Sequence, residues 1–531
     1  MIFSFDYHRI WHSQLWLSVI AGLLLGLSFP PFPFPFLSLP SFVCIFRIVD
    51  LSSSAREAAF WSYPAFLIWN IIVTYWLAIA TVPAGIAAFL ANSAVMTLPV
   101  MLQHRFQYSK LPGWLIALLQ AGAWISFEYL HHHWQLAWPW LTIGNSWANM
   151  PHLIQYLNIT GLWGASFWIL FTAALIYQAI SNGYQRLAYL AVMIFLIFPL
   201  LSFALSWMKT PQPLAKTQQV IVVQPNFDSY ERYGGFSSGK QAINHLLKLS
   251  DSLRTPGTDL IVWPENAIQR SISSLSSSLQ NTNSPKIRLL EKTRRWNVNI
   301  IGGSIYYDFF NPAEAPPLPY YNHNNKPYLP YNAAFNFSPN QPMQVYKKHE
   351  LVPVVERVPY IYFLNAIDIF GWVDWNSIQG YGRGQQTNPF SIGQTHTPAL
   401  ICYDSVFPGW VRQTMQSDSG FLTIITNDGW WGNTSGHAQH FAYARLRAIE
   451  FGRWIVRSAN NGISGIIAPD GSIMEKSLYD HETVFKYEVP VLSRTTFYKQ
   501  YGDWLAFIFL AFTAFGWGWT FYYNLRLKRY A

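Results

Sequence analysis

The pattern of apolar and polar positions divides the chain into two regimes. Long apolar runs fill the first part, at about 14–30, 35–49, 58–80, 82–103, 112–130, 157–181 and 187–207, and one more lies at about 503–523. A helix needs roughly 20 apolar residues to cross a bilayer, so these runs predict about eight spans. Between 209 and 500 the apolar residues come instead in short β-branched bursts separated by stretches of helical period. Strands are expected at Val220–Gln224, Asp259–Trp263, Asn299–Gly303, Ala399–Tyr403, Phe421–Thr426, Trp454–Ala459 and Gly465–Ala468. Helices are expected near 238–254, 285–295, 408–416 and 437–452. Strands and helices alternating in this order predict an α/β layered domain. Residues 309–332, rich in Pro, Asn and Tyr, read as a long loop without periodicity. Residues 358–375 are apolar but too broken to span, and read as a lid or a membrane-dipping loop. The expected organisation is a seven-span membrane domain over 1–208, a soluble domain over 209–500, and a final span with a basic tail over 501–531.

Composition agrees with a hybrid of membrane and soluble parts. The 531 residues are 51% hydrophobic and only 11% Asp, Glu, Lys or Arg, against about 25% charged in an ordinary soluble domain. That excludes a disordered chain, a coiled coil and a collagen-like chain. The net charge of +9 includes the tail bases Arg526, Lys528 and Arg529 beside an apolar span, and no dense basic patch with interleaved aromatics points to nucleic acid. Positive charge also sets an orientation. With the N-terminus cytoplasmic, Arg9, Arg56, Arg105, Lys110 and Arg186 fall on inner segments and Arg47 at the inner end of the second span, while 31–34, 81 and 131–156 hold no Lys or Arg. Seven spans would then deliver 209–500 to the outer side, which in a bacterium is the periplasm. Glu128 and His131-His132-His133 sit near the outer end of the fifth span and read as an interfacial polar cluster, not a metal site.

Two cysteines, Cys44 and Cys402, lie too far apart in the chain to suggest a disulfide framework. Three polar groups fall at or just beyond strand ends: Glu265 after Ile261-Val262-Trp263-Pro264, Lys348 in the run Tyr346–Pro353, and Cys402 after Ala399-Leu400-Ile401. Strand ends in α/β folds converge on one edge. A thiol is a strong nucleophile once deprotonated, a carboxylate within reach can take its proton, and an ammonium lowers a thiol pKa and stabilises an oxyanion. Read singly, each has a plainer role: a buried thiol, a loop carboxylate, a surface lysine.

The wording around the three residues resembles the carbon–nitrogen hydrolase (nitrilase) superfamily. The resemblance rests on Trp263-Pro264-Glu265, Lys348-His349-Glu350-Leu351-Val352-Pro353 with Glu356 eight residues after the lysine, and Cys402-Tyr403-Asp404. The continuation Asn427-Asp428-Gly429-Trp430-Trp431-Gly432, Gln439-His440, Arg445, Ala448-Ile449-Glu450 and Arg457-Ser458-Ala459-Asn460-Asn461-Gly462 is similar to one branch, the bacterial apolipoprotein N-acyltransferases. So is the layout of spans around a soluble domain.

The resemblance implies a nitrilase-like αββα sandwich and transfer of a fatty acyl group from a phospholipid to the N-terminal cysteine of a diacylglyceryl apolipoprotein. It implies Cys402 as nucleophile, Glu265 as base, Lys348 as oxyanion stabiliser and Glu356 as supporting glutamate, with Tyr403 and Asp404 beside the nucleophile. The family often has Glu where this chain has Asp404. After Val223-Gln224, where some members bear tryptophan, stand Tyr230 and Tyr233, the latter a candidate substrate contact.

Acyl transfer through a thioester predicts ping-pong kinetics in a water-poor site. No metal or nucleotide is required, no P-loop or dinucleotide fingerprint occurs, and a monomer is expected. A Cys–His dyad with His437 or His440 is the competing arrangement of groups. Asn427-Asp428-Gly429 reads first as a turn, and Asn433-Thr434-Ser435 as a chance glycosylation sequon. Two other functions compete: a membrane-tethered amidase acting on a small amide, and a non-enzymatic scaffold that binds lipoproteins.

Overall fold

The computed structural model describes residues 10–207, 216–275, 284–367 and 371–530, with backbone alone at 376 and 524–530. Asp6, Arg9, the expected boundary at 208/209 and part of the expected lid lie outside the described residues, as do the side chains of the tail bases. The chain divides into two compact units, Met1–Thr210 with Thr496–Ala531, and Pro211–Thr495.

The first unit is helical. Its main helices are α1 (Gln14–Ser28), α2 (Ser38–Leu51), α3 (Ala55–Thr74), α4 (Val82–Val95), α5 (Thr97–Gln107), α6 (Gly113–His131), α7 (Leu162–Asn182) and α8 (Gln185–Trp207), with Trp504–Tyr530 as the last. Among the described residues, four stretches are long and apolar enough to cross a membrane: Val82–Gln107, Leu162–Asn182, Gln185–Trp207 and Trp504–Tyr523. Local chemistry sets some of these boundaries. Ser54 caps α3 by accepting the Glu57 amide at 3.2 Å, and Glu57 reaches back to accept the Ser53 amide at 2.8 Å. Helix α8 leaves Val192, Leu196, Leu200 and Phe203 uncovered, an apolar exterior that suits lipid and not water. Most of the polar cluster turns inward, with His133 exposed: Glu128 Oε1 accepts from Trp124 Nε1 (3.0 Å) and the Ile143 amide (2.8 Å), His131 meets Asn92, and His132 meets Thr142.

The second unit is built on two sheets. The first, of eight strands, carries at its centre β1 (Thr217–Gln224), β2 (Leu260–Val262), β3 (Asn299–Phe309), β4 (Pro327–Phe337) and β5 (Gln344–Lys347). The second runs β6 (Ala399–Ile401), β7 (Leu422–Thr426), β8 (Ile455–Ala459), β9 (Gly465–Ile467) and β10 (Ile473–Lys476). The long strand β11 (Thr483–Pro490) returns to the first sheet beside β1. Strands β1–β2–β3 and β6–β7–β8 are parallel. Their cores are buried along their length, as parallel strands covered on both faces must be. Helices α9 (Gly239–Ser252) and α10 (Pro285–Trp296) cover the first sheet through Ala242, Ile243, Leu246 and Leu289, packed on Ile221, Ile261 and Ile300. Helix α11 (Pro408–Thr414) follows β6. Helix α12 (Ser435–Phe451), capped by Thr434 and ended by left-handed Gly452, lies against the second sheet with Phe441 beside Gly465. The inner faces meet where Ser458 Oγ donates to the Val223 carbonyl (2.8 Å) and Ser464 Oγ to Gln224 Oε1 (2.7 Å). The result is helix, sheet, sheet, helix.

One expectation is corrected. The expected loop over 309–332 holds only for 310–326, a connection carrying a short 3-10 turn, Pro312–Glu314, and a two-residue strand, Tyr320–Tyr321; β4 begins at Pro327 and pairs antiparallel with β3 over ten residue pairs, from Phe309↔Tyr328 to Ile300↔Phe337. The prolines there sit where the pairing tolerates them, Pro327 at the first position of the strand. Within 358–375 the described residues include a short helix, Ile361–Ile367, and a second begins at Trp375.

Candidate active site

The two sheets bring their strand ends to one edge. The Asn226 amide, beyond β1, donates to the Asn460 carbonyl, beyond β8, at 3.0 Å. The Asn427 amide, beyond β7, donates to Glu265 Oε2, beyond β2, at 2.9 Å. Glu265 can lie so close to β3 because residue 303 is glycine: a Cβ there would come within 2.7 Å of the Glu265 Cα.

Lys348 leaves β5 and enters the same place. Its Nζ is 2.8 Å from Glu356 Oε1 and 3.7 Å from Glu265 Oε1. Asn332 ties the carboxylates together, its Nδ2 donating to Glu265 Oε1 at 2.7 Å and Glu356 Oε1 at 3.0 Å. Glu356 Oε2 accepts the Val352 amide at 2.8 Å, which closes the loop that follows the lysine. Lys348 is 1% exposed, Glu265 5% and Cys402 8%, so these groups interact with little screening by water.

Cys402 stands directly after β6 with φ +47°, in the left-handed region that a residue with a Cβ seldom occupies. The chain then turns at once into a tight helix, Cys402–Val406. The sharp turn ends the strand earlier than its apolar run suggests and presents the side chain at the sheet edge. Asp404 lies in that turn and is fully buried. Its Oδ1 accepts the amides of His349 (3.2 Å) and Glu350 (2.8 Å), and its Oδ2 accepts the Ile401 amide (3.1 Å) and the Tyr346 hydroxyl (2.8 Å). One carboxylate thus fastens the residues around Lys348 to those around Cys402.

Burial pushes the Cys402 thiol up and the Glu265 charge adds to this; Lys348 pulls it down without overcoming both. The resting sulfur therefore keeps its proton. Burial also raises Glu265 above the usual carboxylate range, against the pull of Lys348. For Lys348, burial favours loss of the proton, but Glu356 and Glu265 outweigh it and hold the ammonium charged. The carboxyl of Asp404 is pushed up to about 6 by burial, with Lys348 opposing.

The other expected residues fall as follows. Tyr403 is buried, edge-on to Phe407. Tyr233, with φ +56°, holds the Arg232 guanidinium 4.7 Å over its ring. Tyr230 donates its hydroxyl to the Trp430 carbonyl at 2.9 Å. His440 is held by other groups: its Nε2 lies 3.3 Å from the Cys402 carbonyl oxygen and 3.1 Å from Ser405 Oγ, and its Nδ1 lies 2.9 Å from Asp428 Oδ1. Asn427-Asp428-Gly429 does form a turn, with Asn427 Oδ1 accepting the Gly429 amide at 3.2 Å. Asn332 was not foreseen, since it lay in the segment read as loop. Apolar residues at one strand parity, Ala333, Phe335 and Phe337, with Asn332 and Asn336 at the other, are the signal available there.

Comparison with known proteins agrees with this architecture. The carbon–nitrogen hydrolase model matches residues 220–497, and the apolipoprotein N-acyltransferase N-terminal domain model matches residues 21–175. The apolipoprotein N-acyltransferase of Chlorobaculum tepidum is 29% identical over 93% of this chain and 94% of its own length; that of Rickettsia typhi is 27% identical over 93% and 95%. Among solved structures, Saccharomyces cerevisiae Nit3, a member of branch 10 of the nitrilase superfamily, aligns at 15% identity over 53% of this chain and 93% of its own, with a TM-score of 0.36. An amidase from Nesterenkonia sp. aligns at 16% identity over 51% and 90%, with a TM-score of 0.34. Matched in both its helical and its sandwich unit, the chain belongs to the carbon–nitrogen hydrolase family, and within it to the apolipoprotein N-acyltransferases.

Proposed function

We propose that this protein transfers a fatty acyl group from a phospholipid to the N-terminal amine of a diacylglyceryl apolipoprotein, through a thioester on Cys402. The observation that carries the mechanism is a buried ammonium shared by two carboxylates at the sheet edge where a left-handed cysteine is presented. The thiol, protonated at rest, gives its proton to Glu265 as Sγ attacks the ester carbonyl. Lys348 faces the oxygen that becomes negative in the tetrahedral intermediate. Collapse of that intermediate breaks the ester C–O bond, and Glu265 returns the proton to the departing lysophospholipid alcohol. The lipoprotein amine then attacks the thioester, Glu265 takes a proton from the amine, and the sulfur leaves as the amide forms and recovers a proton. Glu356 holds Lys348 in place and Asp404 fixes the spacing between lysine and cysteine. Tyr403 packs behind the nucleophile, and Tyr233 is assigned to substrate contact.

In this reading the helical unit crosses the bacterial inner membrane in about eight spans, the sandwich faces the periplasm, and the protein acts as a monomer. The charge asymmetry of the connecting segments supports that orientation. The domain boundaries follow as seven spans over 1–208, the catalytic domain over 209–500 and a last span over 501–531. Incubation with phospholipid but no acceptor should add one acyl mass to the peptide bearing Cys402 and none to Cys402→Ala. An acyl-thioester that persists in that variant refutes the assignment.

A further inference from the structure

Behind the Cys402 turn lies a set of buried charges that the reaction above does not use. Asp428 Oδ2 accepts from Arg457 Nη2 at 2.9 Å, and its Oδ1 accepts from Thr426 Oγ1 at 2.8 Å and lies 2.9 Å from His440 Nδ1. Arg457 also reaches the His440 ring at 3.1 Å and donates from Nε to the Ile463 carbonyl at 3.1 Å. Burial pushes the Asp428 carboxyl up, but Arg457 and His440 outweigh it and hold it below the usual range. The other end of the imidazole touches the turn: Nε2 sits against Ser405 Oγ and the Cys402 carbonyl, and Ser405 Oγ donates to that same carbonyl at 2.7 Å.

A second buried array holds the far end of the turn. Arg447 Nη1 donates to the Val406 carbonyl at 3.0 Å and its Nη2 donates to Glu450 Oε1 at 2.8 Å. His440 and Arg447 are seven residues apart on α12, two turns along one face. Asp428, His440, Arg457 and Glu450 are fully buried and Arg447 nearly so. Ions cost several kcal/mol each to desolvate, and apolar packing often stabilises a core as well. What apolar packing lacks is direction: a hydrogen bond fixes where a carbonyl points.

We infer that His440, held by Asp428 and Arg457 and acting with Ser405, is a positioning residue that fixes the Cys402 carbonyl and so aims the nucleophile. The peptide joining Cys402 to Tyr403 is planar, so a fixed carbonyl also sets the plane from which the Cys402 side chain projects and the direction of the Tyr403 N–H on its opposite edge. The left-handed φ of Cys402 is a strained state that persists only when its surroundings over-determine it. The carbonyl clamp supplies that determination from behind the nucleophile. A misplacement of about 1 Å at such a nucleophile costs on the order of a hundredfold in rate. This inference rests on the acyltransferase reading above.

The test is single-turnover formation of the Cys402 acyl-thioester in the full-length protein, followed by mass spectrometry across a range of phospholipid concentration. His440→Asn keeps a polar atom near the position of Nδ1 but loses the arm toward Ser405; His440→Gln keeps an arm of the length of Nε2. The expected result is a maximal rate at least tenfold lower in His440→Asn, with the half-saturating concentration within twofold of wild type, and a rate in His440→Gln within about threefold of wild type. Ser405→Ala removes one hydroxyl and reads the same contact should His440→Asn fail to fold; its maximal rate should fall about three- to tenfold. A wild-type rate in Ser405→Ala, or equal losses in the Gln and Asn variants, overturns the inference while leaving the thioester assignment standing. Absence of any thioester on wild-type Cys402 overturns both.

Discussion

Replacing Lys348 by Met tests whether its charge serves the reaction or only the fold. The ammonium lies 2.8 Å from Glu356 and 3.7 Å from Glu265. At an effective dielectric of about 20 these separations correspond to roughly 6 and 4.5 kcal/mol of attraction. Desolvation of the ammonium and repulsion between the carboxylates offset much of that, and breaking one side of a buried ion pair costs about 3–5 kcal/mol. Two carboxylates sharing one Asn332 amide cannot both stay ionised without the lysine, so one takes a proton. If Lys348 faces the oxyanion as proposed, the variant loses about 10²–10³ in rate, and Glu265, partly protonated, is less able to serve as the proposed base. Thioester formation in single turnover should fall at least ~10³-fold, and the unfolding midpoint in detergent should fall by several degrees. The double variant Lys348→Met with Glu356→Gln separates the two effects. It removes the carboxylate repulsion and should regain most of the lost midpoint without regaining rate. A double variant that recovers both, or a single variant that keeps more than a tenth of the wild-type rate, refutes the catalytic role.

Two further outcomes follow from the same cluster. Burial holds Glu265 above the usual carboxylate range, so under the proposed mechanism it can act as base only above that raised value. The acylation rate should climb with pH through a limb displaced upward from about 4.5, with no loss from Lys348 below the ordinary lysine value near 10.5, since its carboxylate neighbours hold the proton on. Glu356→Gln removes a like charge beside Glu265 and should move the acid limb to lower pH; a limb that moves upward contradicts the charge balance. Asn332→Leu removes a donor to both carboxylates, and hydrogen bonds to charged groups contribute about 1.5–3 kcal/mol each. Its acid limb should move to higher pH with a lower plateau, and an unchanged pH–rate profile would show that Asn332 does not act on Glu265.

Much of this site was legible in the sequence because the motifs around Glu265, Lys348 and Cys402 resemble a known family; their place at strand ends, read singly, allowed plainer roles. Ile261-Val262-Trp263 and Leu400-Ile401 read as buried strands, so the polar residue after each is expected at the sheet edge. Lys348 was harder from local pattern alone, since Lys347 beside it is another lysine, one that pairs with Asp308 at 2.5 Å; it was the Lys348–Pro353 motif that singled out Lys348. The strand period decides: Tyr346 is buried beside Asp404, so Lys347 points the opposite way, and Lys348 follows Tyr346 inward at the same strand parity. Asn332 was missed because β4 has no period-2 signal of its own until Asn332. Its first half, with Pro327 and Pro330, is a strand only by virtue of pairing with β3, and such tertiary dictation is invisible in local composition.

Charge accounts for why these particular residues were needed together. A lone buried ammonium would surrender its proton, and a lone buried carboxylate would take one up. Lys348 between Glu265 and Glu356 remains charged because two anions surround it, yet two anions about one cation leave the cluster with an excess negative charge that disfavours a thiolate. The arrangement thus keeps the sulfur protonated until a substrate carbonyl offers somewhere for negative charge to go. In the proposed reaction the proton then moves to Glu265, which lowers that excess as the oxyanion forms beside Lys348. The same argument gives Glu356 a purpose that no contact with substrate would: without it, Lys348 would close on Glu265, lowering the basicity on which proton removal depends.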